Sequence, residues 1–140
     1  MLLDTHVWVW AVDGNRKLGS KTRRRLQKSP GNTYAGGAYV STASVFEITA
    51  LHTAGRLQFT MPVERWIRES IDRGGLRVLS LDRDTAVDAG CIPAAALADP
   101  IDRWLVGTAR EHNLTLVTAD RRILDYASTT KLVRVIDAST

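Results

Sequence analysis

Short apolar runs alternate with longer stretches of helical periodicity along this chain. Met1-Leu2-Leu3 is an apolar triplet that stops at Asp4, the pattern of a short buried strand. Val7-Trp8-Val9-Trp10-Ala11 follows and carries two readings, the first turn of a helix or an exposed apolar ridge. Asp13-Gly14-Asn15 is turn chemistry. Residues 18–28 read as a basic amphipathic helix stopped by Ser29-Pro30-Gly31-Asn32, and Gly36-Gly37 loosens the loop before a second strand, Ala38-Tyr39-Val40-Ser41. Ser41 or Thr42 caps a helix over 43–54, closed by Gly55. Pro62 precedes a helix over 63–72 that Gly74-Gly75 breaks, and residues 76–81 read as a third strand.

Asp82 caps a short helix through Ala89, ended by Gly90 and Pro93. Asp99-Pro100 is an N-cap followed by proline at the first helical position, and the helix it opens runs to about His112. Asn113 suits the left-handed residue past its end. Residues 114–118 form a fourth strand, 121–126 a brief helix and 132–136 a last strand. Short apolar strands alternating with helices predict an α/β fold with a mainly parallel central sheet of four to five strands flanked by helices.

At 140 residues the chain is read as one domain, 1–140, with one core. No apolar run approaches the roughly 20 residues of a membrane span. The start, Met1-Leu2-Leu3-Asp4, lacks the basic region of a signal peptide. A single cysteine, Cys91, excludes an internal disulfide and suits a reducing cytoplasm; it is expected to be a small buried residue.

The net charge of +4 is moderate but unevenly placed. Arg16, Lys17, Lys21, Arg23, Arg24, Arg25 and Lys28 stand together, and no Asp or Glu occurs from Gly14 to Phe46. Such a stretch steers a polyanion, or is simply a solvated helix face.

The isolated acids change that balance. In an open parallel sheet, ligands bind beyond the carboxyl ends of the strands. Asp4 ends the first strand and Asp120 follows the fourth, while Asp99 and Asp102 open the helix that enters the rim from the third. Glu47 lies in the helix leaving the second strand, among Ala43, Ser44, Ala50 and Leu51. It is either in solvent on a misjudged face or a buried carboxylate with a partner. For Asp99 and Asp102 a purely structural account exists, capping and answering the helix dipole.

Carboxylates gathered at one rim need a cation or protons. Oxygen ligation without Cys or His suits Mg²⁺ or Mn²⁺. Such a centre performs phosphodiester hydrolysis, and the basic segment would then hold the polyanion. His6 is expected to point away if the chain stays extended, and is read as structural.

Four blocks in order carry a family resemblance: Leu3-Asp4-Thr5-His6, Ser41-Thr42-Ala43-Ser44-Val45-Phe46-Glu47-Ile48, Asp99-Pro100-Ile101-Asp102-Arg103 and Leu116-Val117-Thr118-Ala119-Asp120. Over essentially the whole chain they resemble PIN domains, and most of all the VapC-type ribonuclease toxins of toxin–antitoxin pairs. The resemblance implies a three-layer PIN fold, Mg²⁺- or Mn²⁺-dependent endoribonuclease activity on RNA, a homodimer, and inhibition by a cognate antitoxin. Position by position, Asp4, Glu47 and Asp102 match the metal-binding acids and Asp120 the fourth, with Asp99 either a further ligand or a cap. Thr5 and Thr118 are candidates to orient carboxylates. Arg103, Arg23 and Arg24 are candidates to bind substrate, Arg103 having a neighbouring acid as its other expected partner.

Trp8, Trp10 and the segment 45–57 are read either as a dimer or antitoxin surface or as core. Trp104 and Gly107 depart from the family's usual residues at positions that concern packing. The alternative is a non-catalytic PIN-like module that binds RNA or protein without cutting it. A phosphatase of the haloacid dehalogenase type is excluded, because it wants Asp-x-Asp where this chain has Asp4-Thr5-His6.

Overall fold

A computed structural model describes residues 1–27 and 37–140 of the chain. Strand β1 (Leu2–Leu3) leads directly into α1 (Thr5–Val12), and α2 (Ser20–Leu26) follows. Next come β2 (Tyr39–Ser41), α3 (Thr42–Thr53), α4 (Val63–Gly74) and β3 (Arg77–Leu79). Helices α5 (Arg83–Gly90) and α6 (Pro100–Glu111), then β4 (Leu116–Thr118), α7 (Arg121–Thr130) and β5 (Val135–Asp137), complete the order. The strands form one parallel five-stranded sheet in the order β3-β2-β1-β4-β5.

That order reverses between β1 and β4, so the chain winds outward in both directions from the centre. A crevice at the carboxyl edge is the geometric result, and ligands bind at such switch points. Alternation along the strands builds the layers. Leu3 and Val117 face one side, where Trp8, Val40, Ile48, Val63 and Trp66 close a core. Leu2 and Leu116 face the other, against Leu105, Val106, Ile123 and Tyr126. The result is the expected sheet between two helical layers.

The Asp99 carboxylate accepts the Ile101 amide at 2.8 Å with Pro100 behind it, and Asn113 ends the helix at a positive φ of 52°. Ser41 caps α3 through the Ala43 amide, while the Thr42 hydroxyl accepts instead from the Leu81 amide. Gly75, at φ 62°, terminates α4. Gly107 explains its own presence: a Cβ there would stand 3.0 Å from the Ala89 Cβ and 3.2 Å from the Thr85 carbonyl oxygen. It lets α6 lie close against α5.

Several expectations need correction. Residues 7–11 are no exposed ridge, because the chain turns helical at Thr5 and buries Val7, Trp8 and Val9. Trp8 is therefore core, its ring 5.6 Å from that of Trp66, and not part of a docking surface. Trp10 is half-buried, with the Lys17 ammonium 5.8 Å from its ring. Cys91 is exposed rather than buried, because it is the residue that caps the carboxyl end of α5. Helix α7 continues past Tyr126 to Thr130, since Ile123, Tyr126 and Ala127 make one buried stripe. The last strand accordingly lies later than expected, at Val135–Asp137. Lys28, the expected stop at 29–32 and Gly36 lie outside the described residues.

Candidate active site

Asp4 is the residue immediately after β1, and its carboxylate is nearly closed to solvent. Its Oδ2 accepts a short 2.5 Å hydrogen bond from the Thr118 hydroxyl at the end of β4. The same hydroxyl accepts the Asp120 amide at 3.0 Å, so one threonine ties two acids of the rim together. Thr5 is placed differently: its hydroxyl donates to Ser44 Oγ at 3.0 Å and couples the end of β1 to α3. Glu47 lies one turn further along α3, half-buried, close enough to Asp4 for the two charges to repel. It is thus neither free in solvent nor buried with a partner.

Asp102 occupies the first turn of α6 and is 8% exposed. Its Oδ2 is buried and has no hydrogen-bond partner among the described residues. Burial first, then repulsion from Asp120 and Asp99, pushes its carboxyl up to about 7. Burial also raises Asp4, against the Thr118 hydroxyl that favours its charged form. Asp120 shifts the opposite way. Arg122 holds it below the ordinary range by folding back from α7, with Nε 3.1 Å from Oδ1 and Nη2 2.6 Å from Oδ2. Asp120 Oδ1 also accepts the Arg122 amide at 2.8 Å as the cap of α7. The same Nη2 stands 3.5 Å from Asp102 Oδ2.

The crevice therefore brings Asp4, Asp102 and Asp120 together, with Glu47 and Asp99 at its edge. Asp99 is engaged as a cap, and its charge is felt by Asp102. As the side chains stand, no three His, Cys, Asp or Glu among the described residues are grouped closely enough to hold a metal ion. The donor chemistry nevertheless fits a hard divalent cation: oxygen only, two acids resisting ionisation, and one buried oxygen lacking a partner.

Two neighbours of the site are not among the expected site residues. Arg122 is one; its contact is local, but nothing in the pattern of a surface helix distinguishes it from Arg121. His6 is the other. Because α1 begins at Thr5, His6 does not point away: it is exposed and near enough for a proton on its ring to favour ionisation of both Asp4 and Asp120.

The expected substrate residues are dispersed. Arg103 is half-buried, and its Nε has no hydrogen-bond partner among the described residues. Arg23 Nη2 donates to the Asn15 carbonyl at 2.9 Å and so braces the turn before α2. Arg24 is exposed, with Nε 3.4 Å from the Ser20 carbonyl oxygen. Helix α2 is anchored near the end of β5, where the Thr22 amide donates to the Thr140 oxygen at 3.0 Å. The first turn of α2 is thus tied to the carboxyl end of β5.

The sequence profile of the PIN domain matches residues 1–128. The chain belongs to the PIN domain family. A relative, Ribonuclease VapC22 of Mycobacterium tuberculosis, is 29% identical over 126 residues, covering 90% of this chain and 91% of that protein. DNA-bound VapBC from Salmonella typhimurium superposes with a TM-score of 0.64 at 22% identity, covering 96% of this chain and 95% of that one. VapBC2 from Rickettsia felis gives 0.65 at 13% identity, with 96% of each chain covered. FitAcB from Neisseria gonorrhoeae gives 0.60 at 21% identity, covering 96% and 95%. These likenesses carry the fold. In this PIN domain the crevice acids stand on the four sequence blocks that first marked the family.

Proposed function

We propose that this PIN domain is a metal-dependent endoribonuclease toxin, held inactive by a cognate antitoxin. The observation that carries this reading is the buried acid pair at the sheet's switch point: Asp4 fixed by Thr118, and Asp102 with an unpartnered oxygen. Acids kept at such an electrostatic cost are explained by a cation and a reaction. Asp4, Asp102 and Glu47 would hold Mg²⁺ or Mn²⁺, with Asp120 completing the set directly or through water. The ion, when bound, supplies charge stabilisation for the phosphate oxygens and lowers the pKa of water at the site.

The chain's own part is positional. Thr118 fixes the rotamer of Asp4 and the backbone entering Asp120. The Thr5–Ser44 hydrogen bond keeps β1 and α3 in register, and with them Asp4 and Glu47. Arg24 and its basic neighbours on α2 draw the RNA backbone toward the rim by charge. Water then forms the new bond to phosphorus as the ribose oxygen leaves in line and takes up a proton.

The relative named as a ribonuclease supports RNA as the substrate. The neighbours solved as toxin–antitoxin complexes support an antitoxin partner. A homodimer is part of the same reading, and the exposed apolar ring of Phe46 on α3 suits a protein contact. The rival reading, an RNA- or protein-binding module that does not cut, is disfavoured because all four acids are present. Incubation of the purified protein with varied RNAs separates the two. The proposal predicts fragments, formed with Mg²⁺ or Mn²⁺ and not with chelator, whose ends carry no 2′,3′-cyclic phosphate. Retention of intact RNA, with binding but no cutting, would establish the binding module.

A further inference from the structure

Arg122 covers the acid cluster from the solvent side. Its side chain is 61% exposed, yet the guanidinium turns inward and takes both oxygens of Asp120, with Asp102 Oδ2 at 3.5 Å. The contact with Asp102 is an ion pair without a hydrogen bond, since that oxygen remains unpartnered. Arg122 thus supplies positive charge beside Asp120, Asp102 and Asp99 without giving the buried Oδ2 of Asp102 a hydrogen bond.

A guanidinium is planar, permanently charged and built for bidentate carboxylates. A small divalent ion needs the same oxygens but in octahedral geometry. An ion taking Asp120 Oδ2 and Asp102 Oδ2 would compete with the guanidinium for them, and two cations a few ångströms apart repel each other. We propose that Arg122 is a tethered counter-cation: it occupies the acid cluster of the metal-free enzyme, and a divalent ion must displace it to bind. The inference rests on the metal-centre reading given above. Both oxygens of Asp120 are engaged by Arg122, so they are free for an ion only once the guanidinium leaves. That requirement sets an ion threshold below which the site stays closed. Once released, the side chain remains on the exposed first turn of α7, at the mouth of the crevice.

The test measures ion binding rather than cleavage. Mn²⁺ affinity is determined by calorimetry and by the signal of free Mn²⁺ in electron paramagnetic resonance, for wild type, Arg122→Ala and Arg83→Ala. Arg83 is an exposed cation on α5, paired with its neighbour Asp84, and controls for net charge. Arg122→Ala is expected to bind Mn²⁺ at least about tenfold more tightly, the scale of removing one charge beside a divalent ion. Arg83→Ala is expected to match wild type. Equal or weaker binding by Arg122→Ala overturns the counter-cation role and makes Arg122 a positioner of Asp120. Absence of binding in every variant overturns the metal centre itself, a separable result. In intact wild type, the Nε–H nitrogen resonance that is missing from Arg122→Ala should shift as Mg²⁺ is added. A resonance unmoved at saturating Mg²⁺ refutes the displacement.

Discussion

Replacing Asp102 with Asn should stabilise the metal-free protein, in a strongly pH-dependent way. The Asp102 carboxyl titrates at about 7 in the fold against an ordinary 3.8. At 1.36 kcal/mol per pH unit, that gap corresponds to about 4 kcal/mol of destabilisation once the group is ionised. Below about pH 4 folded and unfolded chains both hold the proton, and the site costs nothing. Between about 4 and 7 the unfolded chain releases the proton while the folded chain keeps it, so stability falls as pH rises. Above about 7 the whole cost is present. Asn cannot ionise and escapes it. The attraction of the exposed Arg122 is already contained in that pKa, while solvent screening of the partly exposed site trims the figure. The expected gain at pH 8 in chelator is therefore about 3 kcal/mol, roughly 10 °C in Tm for a chain of this size. Urea and thermal melts at pH 8 and near pH 4 measure it. A variant no more stable than wild type at pH 8, or equally stabilised at both pH values, refutes the electrostatic reasoning. Saturating Mn²⁺ should narrow the gap by stabilising wild type alone.

Other substitutions read other joints of the structure. Thr118→Val removes the hydroxyl donor from the buried Asp4 carboxylate; it should cost about 1–3 kcal/mol in urea unfolding, and lower kcat for RNA cleavage more than KM. Gly107→Val drives side-chain carbons into the Thr85 carbonyl and Ala89, so chemical denaturation should show a loss of about 1–3 kcal/mol. Arg24→Ala with Arg25→Ala, on the exposed face of α2, should lower the slope of log K against log salt by about 0.7 for each RNA phosphate no longer neutralised. An unchanged slope in filter binding would remove α2 from the RNA path.

The features legible in the sequence were those with local causes. Asp99-Pro100 marks the start of α6 by capping chemistry, and the acids fall at strand ends because apolar triplets stop there. The reversal between β1 and β4, which makes the crevice, is set by long-range pairing that no local pattern encodes. Helix α1 was ambiguous because Val7, Trp8 and Val9 are apolar on every face, and only packing against Trp66 shows why. Composition says nothing of the place of Cys91 at a helix end, which is what exposes it. Arg122 is two residues from Asp120, close enough to be seen and indistinguishable from any surface arginine. His6 differs from expectation because the chain turns helical at Thr5 where an apolar strand run gives no sign of ending in a helix.

The most direct measurement is RNA cleavage by wild type and Asp102→Asn side by side, with Mn²⁺ and with chelator. Because the variant is expected to be the more stable protein at neutral pH, lost activity cannot be attributed to unfolding. The account predicts Mn²⁺-dependent cutting by wild type and at least about a hundredfold less by the variant, the scale of losing one electrostatic stabiliser. Cutting that persists in chelator, or is undiminished in Asp102→Asn, would contradict it.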